Sequence, residues 1–258
     1  MENIQLYNGD CLEVMDKLIE QGVKVDAIIT DPPYGTTSCK WDSVIPFDEM
    51  WKRLNKLVKN NGAIVLFGSE PFSSILRVSN INNFKYDWIW YKNKPTGHLN
   101  AKIMPLKEHE VISVFSLSKC LYYPQGTTEI NKIQTKKDTK TTIGNGYSTF
   151  GKNNKTTIQK IGNYPRSILK FNKPAKNIHP TQKPVDLLEY LIKTYTLENE
   201  IVLDFTMGSG STGVACMLTN RKFIGVELDD KYFEIAENRL KEATEKKEES
   251  LKVFDKSN

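Results

Sequence analysis

Two hydrophobic periods alternate along the chain. Val25-Asp26-Ala27-Ile28-Ile29-Thr30 is an apolar, β-branched run that reads as a buried strand of a parallel sheet, and Ala63-Ile64-Val65-Leu66-Phe67 reads as another buried strand. Ile201-Val202-Leu203 and Lys222-Phe223-Ile224-Gly225-Val226 predict strands, as do residues 86–91 and 110–115. Ile4-Gln5-Leu6-Tyr7 alternates apolar and polar residues and stops at Asn8-Gly9-Asp10, which predicts a short strand and a turn. Helical spacing links Leu12, Met15, Leu18 and Ile19; then Phe47, Met50, Trp51, Leu54, Leu57 and Val58; then Val185, Leu187, Leu188, Leu191, Ile192 and Tyr195. Asn60-Asn61-Gly62 reads as a left-handed stop to the second of these helices. Residues 72–78 predict a short helix, and Val214, Ala215, Met217 and Leu218 continue one after a glycine-rich turn. A Lys/Glu-rich helix starts near residue 230 and is expected to fray beyond 245, leaving a charged tail over 246–258.

At 258 residues and 39% hydrophobic, the chain has room for one large α/β domain or two small ones and can bury a sizeable core. No apolar run approaches membrane-spanning length and the amino terminus shows no signal peptide, so a cytoplasmic protein is expected. Cys11, Cys39, Cys120 and Cys216 are scattered without a CxxC pair and read as reduced thiols. His98, His109 and His179 lie far apart, so no metal site is expected.

Charge changes the picture between residues 119 and 176. Twelve Lys and Arg residues stand there against Glu129 and Asp138, a local +10 in a chain of net +5. Thr, Asn, Gly and Tyr are interleaved and no long apolar period appears. The segment is either a solvated insertion or a surface for a polyanion, and so large a local excess favours nucleic acid.

Candidate chemistry stands at two strand ends. The strand at 25–30 runs into Asp31-Pro32-Pro33-Tyr34. The prolines fix φ and donate nothing, so their carbonyls are positioned acceptors. Asp31 adds carboxylate acceptors and Tyr34 a flat face. Such a loop, with no evident nucleophile, suits an exocyclic amino group on a flat heterocycle; by itself it also reads as plain strand-to-turn punctuation. The strand at 201–203 runs into Asp204-Phe205-Thr206-Met207-Gly208-Ser209-Gly210-Ser211-Thr212-Gly213, followed by a helix, a strand and Glu227. That is a dinucleotide-binding arrangement in outline. Asp204 at its entrance is poor for pyrophosphate and tolerable for a cation, so S-adenosylmethionine suits the turn better than NAD does.

The sequence resembles the amino-methylating DNA methyltransferases in the circular arrangement called the β class. Asp31-Pro32-Pro33-Tyr34, His179-Pro180-Thr181-Gln182-Lys183-Pro184, Asp204-Phe205-Thr206-Met207-Gly208-Ser209-Gly210 and Gly225-Val226-Glu227-Leu228-Asp229 match its motifs in that order. The likeness covers about residues 4–118 and 177–240. It implies an α/β fold with one doubly wound, mostly parallel, seven-stranded sheet carrying one antiparallel strand, to which residues 1–118 and 177–245 both contribute. It makes residues 119–176 an inserted target-recognition region, with Lys136, Lys137 and Lys140 as candidate DNA contacts. The circular order would set loop 31–34 beside loop 204–210, where open α/β sheets bind ligands.

Residue roles follow from the same resemblance. Phe205, Gly208, Gly210, Ser211 and Thr212 would wall the methionine and ribose of S-adenosylmethionine. Glu227, followed by Leu228, would accept from the ribose hydroxyls. Asp10, next to Cys11, would meet the adenine amino group of the cofactor, and Lys183 the methionine carboxylate. Asp31, which also borders the cofactor, and the Pro32 carbonyl would accept the two N–H bonds of a target amine. Pro33 would complete the loop, and Tyr34 would stack on a base flipped out of double-stranded DNA. Asp31 in place of Ser leans towards adenine N6, with cytosine N4 the alternative; a catalytically inactive nucleic-acid-binding fold and an NAD enzyme are the other classes. A monomer or homodimer is expected.

Overall fold

Every residue of the strand that leads into Asp31 is buried, as a strand covered on both faces must be. The computed structural model describes residues 3–35, 43–136, 155–173 and 182–255. Their order is β1 (Ile4–Asn8), α1 (Cys11–Glu20), β2 (Val25–Thr30), α2 (Phe47–Leu57), β3 (Val58–Gly68), α3 (Phe72–Ser79), β4 (Phe84–Thr96), β5 (Lys107–Phe115), β6 (Thr128–Lys136), β7 (Lys155–Gly162), β8 (Ile168–Lys170), α4 (Val185–Tyr195), β9 (Ile201–Asp204), α5 (Ser211–Leu218), β10 (Lys222–Glu227) and α6 (Asp230–Asp255).

The main sheet runs β1-β10-β9-β2-β3-β5-β4-β8. All its pairings are parallel except those of β5, which is antiparallel to both β3 and β4. The mixed α/β fold and the single antiparallel strand agree with expectation. The strand number differs: the three-residue β8 adds an eighth strand, paired to β4 through Ile89 and Ile168. Its sequence, Ile-Leu-Lys, is too short for a period to show.

The sheet divides the core in two. Met15 and Leu18 of α1, Met50 and Leu54 of α2 and Phe72 and Leu76 of α3 pack on one face, with Ile28 of β2. Leu187 and Leu191 of α4, Ala215 and Cys216 of α5 and Ala236 and Leu240 of α6 pack on the other, with Ala27 and Ile29. Neighbouring residues of β2 thus serve opposite layers, which is why its run has no polar position except Asp26 and Thr30. Asp26 is held by Lys59 Nζ at 2.5 Å and by the amide of Ile201 at 2.9 Å.

Two local expectations are corrected. Asn60-Asn61-Gly62 does not cap α2 in the left-handed region; α2 stops at Leu57, and Val58 is already extended (φ −72°, ψ 141°) because it pairs with Val25. Gly62 is needed for closeness instead, since a Cβ there would stand 2.5 Å from the Asp26 carbonyl. The last helix does not end near 245 but continues to Asp255.

The chain forms two compact units, residues 1–123 with 167–258, and Pro124–Arg166. The first and last parts of the basic stretch therefore belong to the main unit: the Tyr123 amide donates to the Thr194 carbonyl, and β8 lies in the sheet. Pro124–Arg166 contains the antiparallel pair β6–β7, in register from Thr128↔Gly162 to Lys136↔Lys155.

Candidate active site

β2 and β9 are adjacent, with Ala27 opposite Val202 and Ile28 opposite Leu203. Their carboxyl ends therefore bring Thr30-Asp31 and Asp204-Phe205 side by side. Thr30 donates its hydroxyl to Asp204 Oδ1 at 2.6 Å, and Thr212, in the first turn of α5, donates to Asp204 Oδ2 at 2.6 Å. The Thr206 hydroxyl meets Thr30 Oγ1 at 2.7 Å and the Asp31 carbonyl at 3.2 Å, while its amide donates to Asp204 at 3.2 Å. Asp204 is thus a buried fastener between the two loops. Burial pushes its carboxyl up to about 6 against the pull of the Thr212, Thr30 and Thr206 donors.

The glycine turn after β9 needs left-handed backbone at Gly208 (φ +53°) and Gly210 (φ +75°). The Gly208 amide donates to Glu227 Oε2 at 2.8 Å, and the Asp229 amide to Glu227 Oε1 at 2.9 Å. Each oxygen keeps a further lone pair for a ligand. Burial raises the Glu227 carboxyl, with the Asp229 and Gly208 amides opposing.

A cavity of about 320 Å³ opens between these loops, within the size range of small-molecule sites. Asp10, Cys11, Asp31, Pro32, Pro33, Tyr34, Lys183, Phe205, Gly208, Ser211, Thr212, Glu227 and Leu228 all line it. Gly210 does not line it; it is the residue before α5, and a Cβ on it would stand 3.0 Å from that of Ala236. Asp10 has a structural duty as well, because its Oδ1 caps α1 by accepting from the Leu12 and Glu13 amides at 2.8 and 3.2 Å. Burial, helped by the Asp10 charge, pushes the Cys11 thiol up to about 12, so it lines the cavity as a thiol.

How Asp31 is held was not legible in the sequence. Its Oδ1 accepts from the Tyr34 hydroxyl and its Oδ2 from Lys183 Nζ. Lys183, which lines the cavity, meets Asp31 and lies 3.4 Å from Glu110 Oε2. Burial raises the Asp31 carboxyl, with Lys183 pulling the other way. The Tyr34 ring lies 4.8 Å from that of Phe72, tilted by 32°. Lys136 is the last residue of β6; Lys137, Lys140 and residues 179–181 lie outside the described residues.

A DNA methylase family model of the N6/N4 type matches residues 25–238. The chain belongs to the DNA methylase family. The methylase is 28% identical over 93% of its length to the type II methyltransferase M2.LlaDCHI of Lactococcus lactis subsp. cremoris, covering 90% of that protein. It is 29% identical to M1.MboII of Moraxella bovis, over 90% of this chain and 94% of that one. The M1.HpyAVI–SAM complex superposes with a TM-score of 0.66 at 30% identity, covering 92% of this chain and all of that one. The cofactor is accordingly S-adenosylmethionine. The cavity suits it: Asp10, Asp31 and Glu227 offer carboxylates to hydroxyls, an amine and a cation, and Phe205 and Leu228 offer apolar wall.

Proposed function

We propose that this DNA methylase transfers a methyl group to the N6 amine of an adenine flipped out of double-stranded DNA at a fixed sequence. The observation that carries the reading is the placement of Asp31-Pro32 and the Gly208–Glu227 turn around one cavity at adjacent strand ends. S-adenosylmethionine supplies a sulfonium methyl, an electrophile that needs no metal and no covalent enzyme intermediate.

An adenine amine is a poor nucleophile because its lone pair is delocalised into the ring. Asp31 and the Pro32 carbonyl accept its two N–H bonds and favour a pyramidal nitrogen whose lone pair faces the methyl group. Positioning and local electrostatics then supply most of the acceleration. After transfer Asp31 takes the surplus proton; a carboxyl raised by burial is better suited to this than an ordinary one. Tyr34 stacks on the base, and Glu227 and Asp10 accept from the ribose and adenine of the cofactor. Residues of the basic stretch, Lys136, Lys137 and Lys140 among them, grip phosphates, and the protein works as a monomer or homodimer.

Asp rather than Ser at position 31 favours adenine. Cytosine N4 is the second reading, since its amine presents the same N–H geometry, and a cytosine-N4-specific DNA methyltransferase shares the fold at 16% identity with a TM-score of 0.61. Sequencing DNA from cells with and without the expressed chain, at single-molecule level, tests base and site together. N6-methyladenine at one recurrent sequence is the expected result; N4-methylcytosine, or no modification, overturns it.

A further inference from the structure

The hairpin between β4 and β5 stands at the same edge of the sheet as Asp31. β3 and β4 are both antiparallel to β5, and β2 is parallel to β3, so β4 ends at the edge where β2 ends. β3 stops at Gly68, opposite Val111, whose other neighbour is Ile89 of β4. From Ile89 the strand runs on to Thr96, still paired with β5 as far as Lys107. At about 3.3 Å per residue the hairpin reaches roughly 20 Å beyond β3. Its root lies beside the site, because Lys183 Nζ meets Asp31 and stands 3.4 Å from Glu110 of β5.

The tip of this hairpin is apolar. Leu99 is fully exposed, Ile103 is 77% exposed and Met104 53%. Exposed apolar side chains are ordinary when scattered singly, but these three share one projecting turn. Ordered backbone holds them there. Gly97 (φ +91°) leads into a single 3-10 turn, His98–Asn100, and the Asn100, Ala101, Ile103 and Met104 amides donate to carbonyls three or four residues back at 2.9 to 3.2 Å. Charge surrounds the tip: residues 92–107 hold Lys92, Lys94, Lys102 and Lys107 and no Asp or Glu. Lys92 is buried and paired with Glu110, whereas Lys94 and Lys102 are exposed. A two-fold contact of the tip with its own copy would set these lysines against one another. Duplex DNA matches both features, since its phosphates are anionic and its base steps admit apolar wedges of the Leu, Ile and Met kind.

We propose that Leu99, Ile103 and Met104 form a wedge that enters the duplex at the target site and fills the place of the departing base, with Lys94 and Lys102 on the flanking phosphates. This rests on the reading of the substrate as a base flipped out of double-stranded DNA. Flipping costs the base its stacking and pairing. An apolar side chain in the vacated place restores contact to the neighbouring bases and opposes the return of the target. The wedge touches no reacting atom. It lies outside residues 119–176, so contact with DNA is not confined to the basic stretch.

The test uses the full-length protein and a duplex oligonucleotide carrying the sequence that it methylates. Leu99→Ser, Ile103→Ser and Met104→Ser are combined; the three side chains are exposed, so the fold should survive, and Leu99→Ser alone serves should it not. On the matched duplex the single-turnover rate at saturating DNA and cofactor should fall by about 10-fold or more, the effect of one apolar side chain left unburied. With an abasic site opposite the target the base leaves more easily, and the loss should shrink to within about threefold. The dissociation constant of S-adenosylmethionine should stay within about twofold, since none of the three residues lines the cavity. Lys94→Gln with Lys102→Gln should reduce the log–log salt slope of DNA binding by about 2. A parent-like rate on the matched duplex, an equal loss on both duplexes, a matching loss in cofactor binding or an unchanged salt slope each overturns the proposal. So does a parent dimer that the serine substitutions turn into a monomer, which would make the tip an interface between copies. A parent chain that methylates no DNA overturns the proposed function itself, a result separable from all of these.

Discussion

The hydroxyl of Thr30, the last residue of β2, donates to the carboxylate of Asp204, the last residue of β9, at 2.6 Å across 174 residues of chain. The loop of Asp31 and the glycine turn are thereby tied at their roots, one hydrogen bond upstream of the chemistry. Thr30→Val removes the donor at nearly constant volume and leaves a buried carboxylate oxygen short of a partner. Urea unfolding should register a loss of about 1–3 kcal/mol. An unchanged midpoint would mean that Thr206 and Thr212 suffice to hold Asp204.

Asp204 also gives stability a pH signature. The folded state keeps its proton up to about pH 6, whereas an unperturbed carboxyl releases it near 3.8. Between those values the unfolded chain binds fewer protons than the native one, so stability falls as pH rises through the window. The shift corresponds to a fall of about 2–3 kcal/mol. Unfolding free energies measured at pH 4 and pH 7 should show that fall in the parent and not in Asp204→Asn, other groups cancelling in the difference. Parallel pH curves for the two proteins would contradict the burial argument.

Asp31→Ala removes the acceptor proposed for the target amine and leaves Lys183 paired with Glu110. Methyl transfer should disappear while the dissociation constant of S-adenosylmethionine stays within about tenfold, roughly 1.4 kcal/mol. Turnover retained above a few per cent would take Asp31 out of the catalytic role.

Glu227→Ala should act on the cofactor rather than on chemistry. Loss of a charged acceptor for ribose hydroxyls is worth about 1.5–3 kcal/mol of binding. Part of that loss would come from the turn, because the Gly208 and Asp229 amides lose their acceptor too. Calorimetry should show weaker S-adenosylmethionine binding, with turnover at saturating cofactor changed much less. An unchanged affinity would place the ribose elsewhere.

The basic stretch is testable through salt. If about five of its twelve basic residues reach phosphates, log affinity against log salt should fall with a slope of roughly −4 to −5. Neutralising Lys136, Lys137 and Lys140 together should flatten the slope and weaken all DNA sequences about equally. Cofactor affinity should hold. A parent-like slope with lost cofactor binding would assign these lysines to the support of the fold.

What was legible in the sequence was local. The apolar run of β2, the helical spacing of α1, α2 and α4, and the residues of the Asp31 and Gly208 loops all announce themselves within a window of a dozen positions, because backbone period and turn chemistry are properties of neighbours in sequence. The family resemblance carried by such short motifs named thirteen residues that line one cavity. Gly210 takes the left-handed position before α5, a duty that asks for the same residue as a ligand contact does. Asn60-Asn61-Gly62 was misread because pairing of Val58 with Val25 overrides the local preference for a turn.

The sequence by itself determined the helices, the strands outside the basic stretch and the acceptors of the two loops; it showed no sign of β6, β7 or β8. Only the tertiary structure decided that β2 and β9 are neighbours, that β8 takes an eighth place in the sheet, and that Glu110 meets Lys92 and Lys183. The reason lies in the range of the forces. Hydrophobic period acts between residues a turn or a pleat apart. Charges that leave water are settled by whichever opposite charges arrive, and for the half-buried Glu110 these come from Lys92, 18 positions away, and from Lys183 on the far side of the basic stretch.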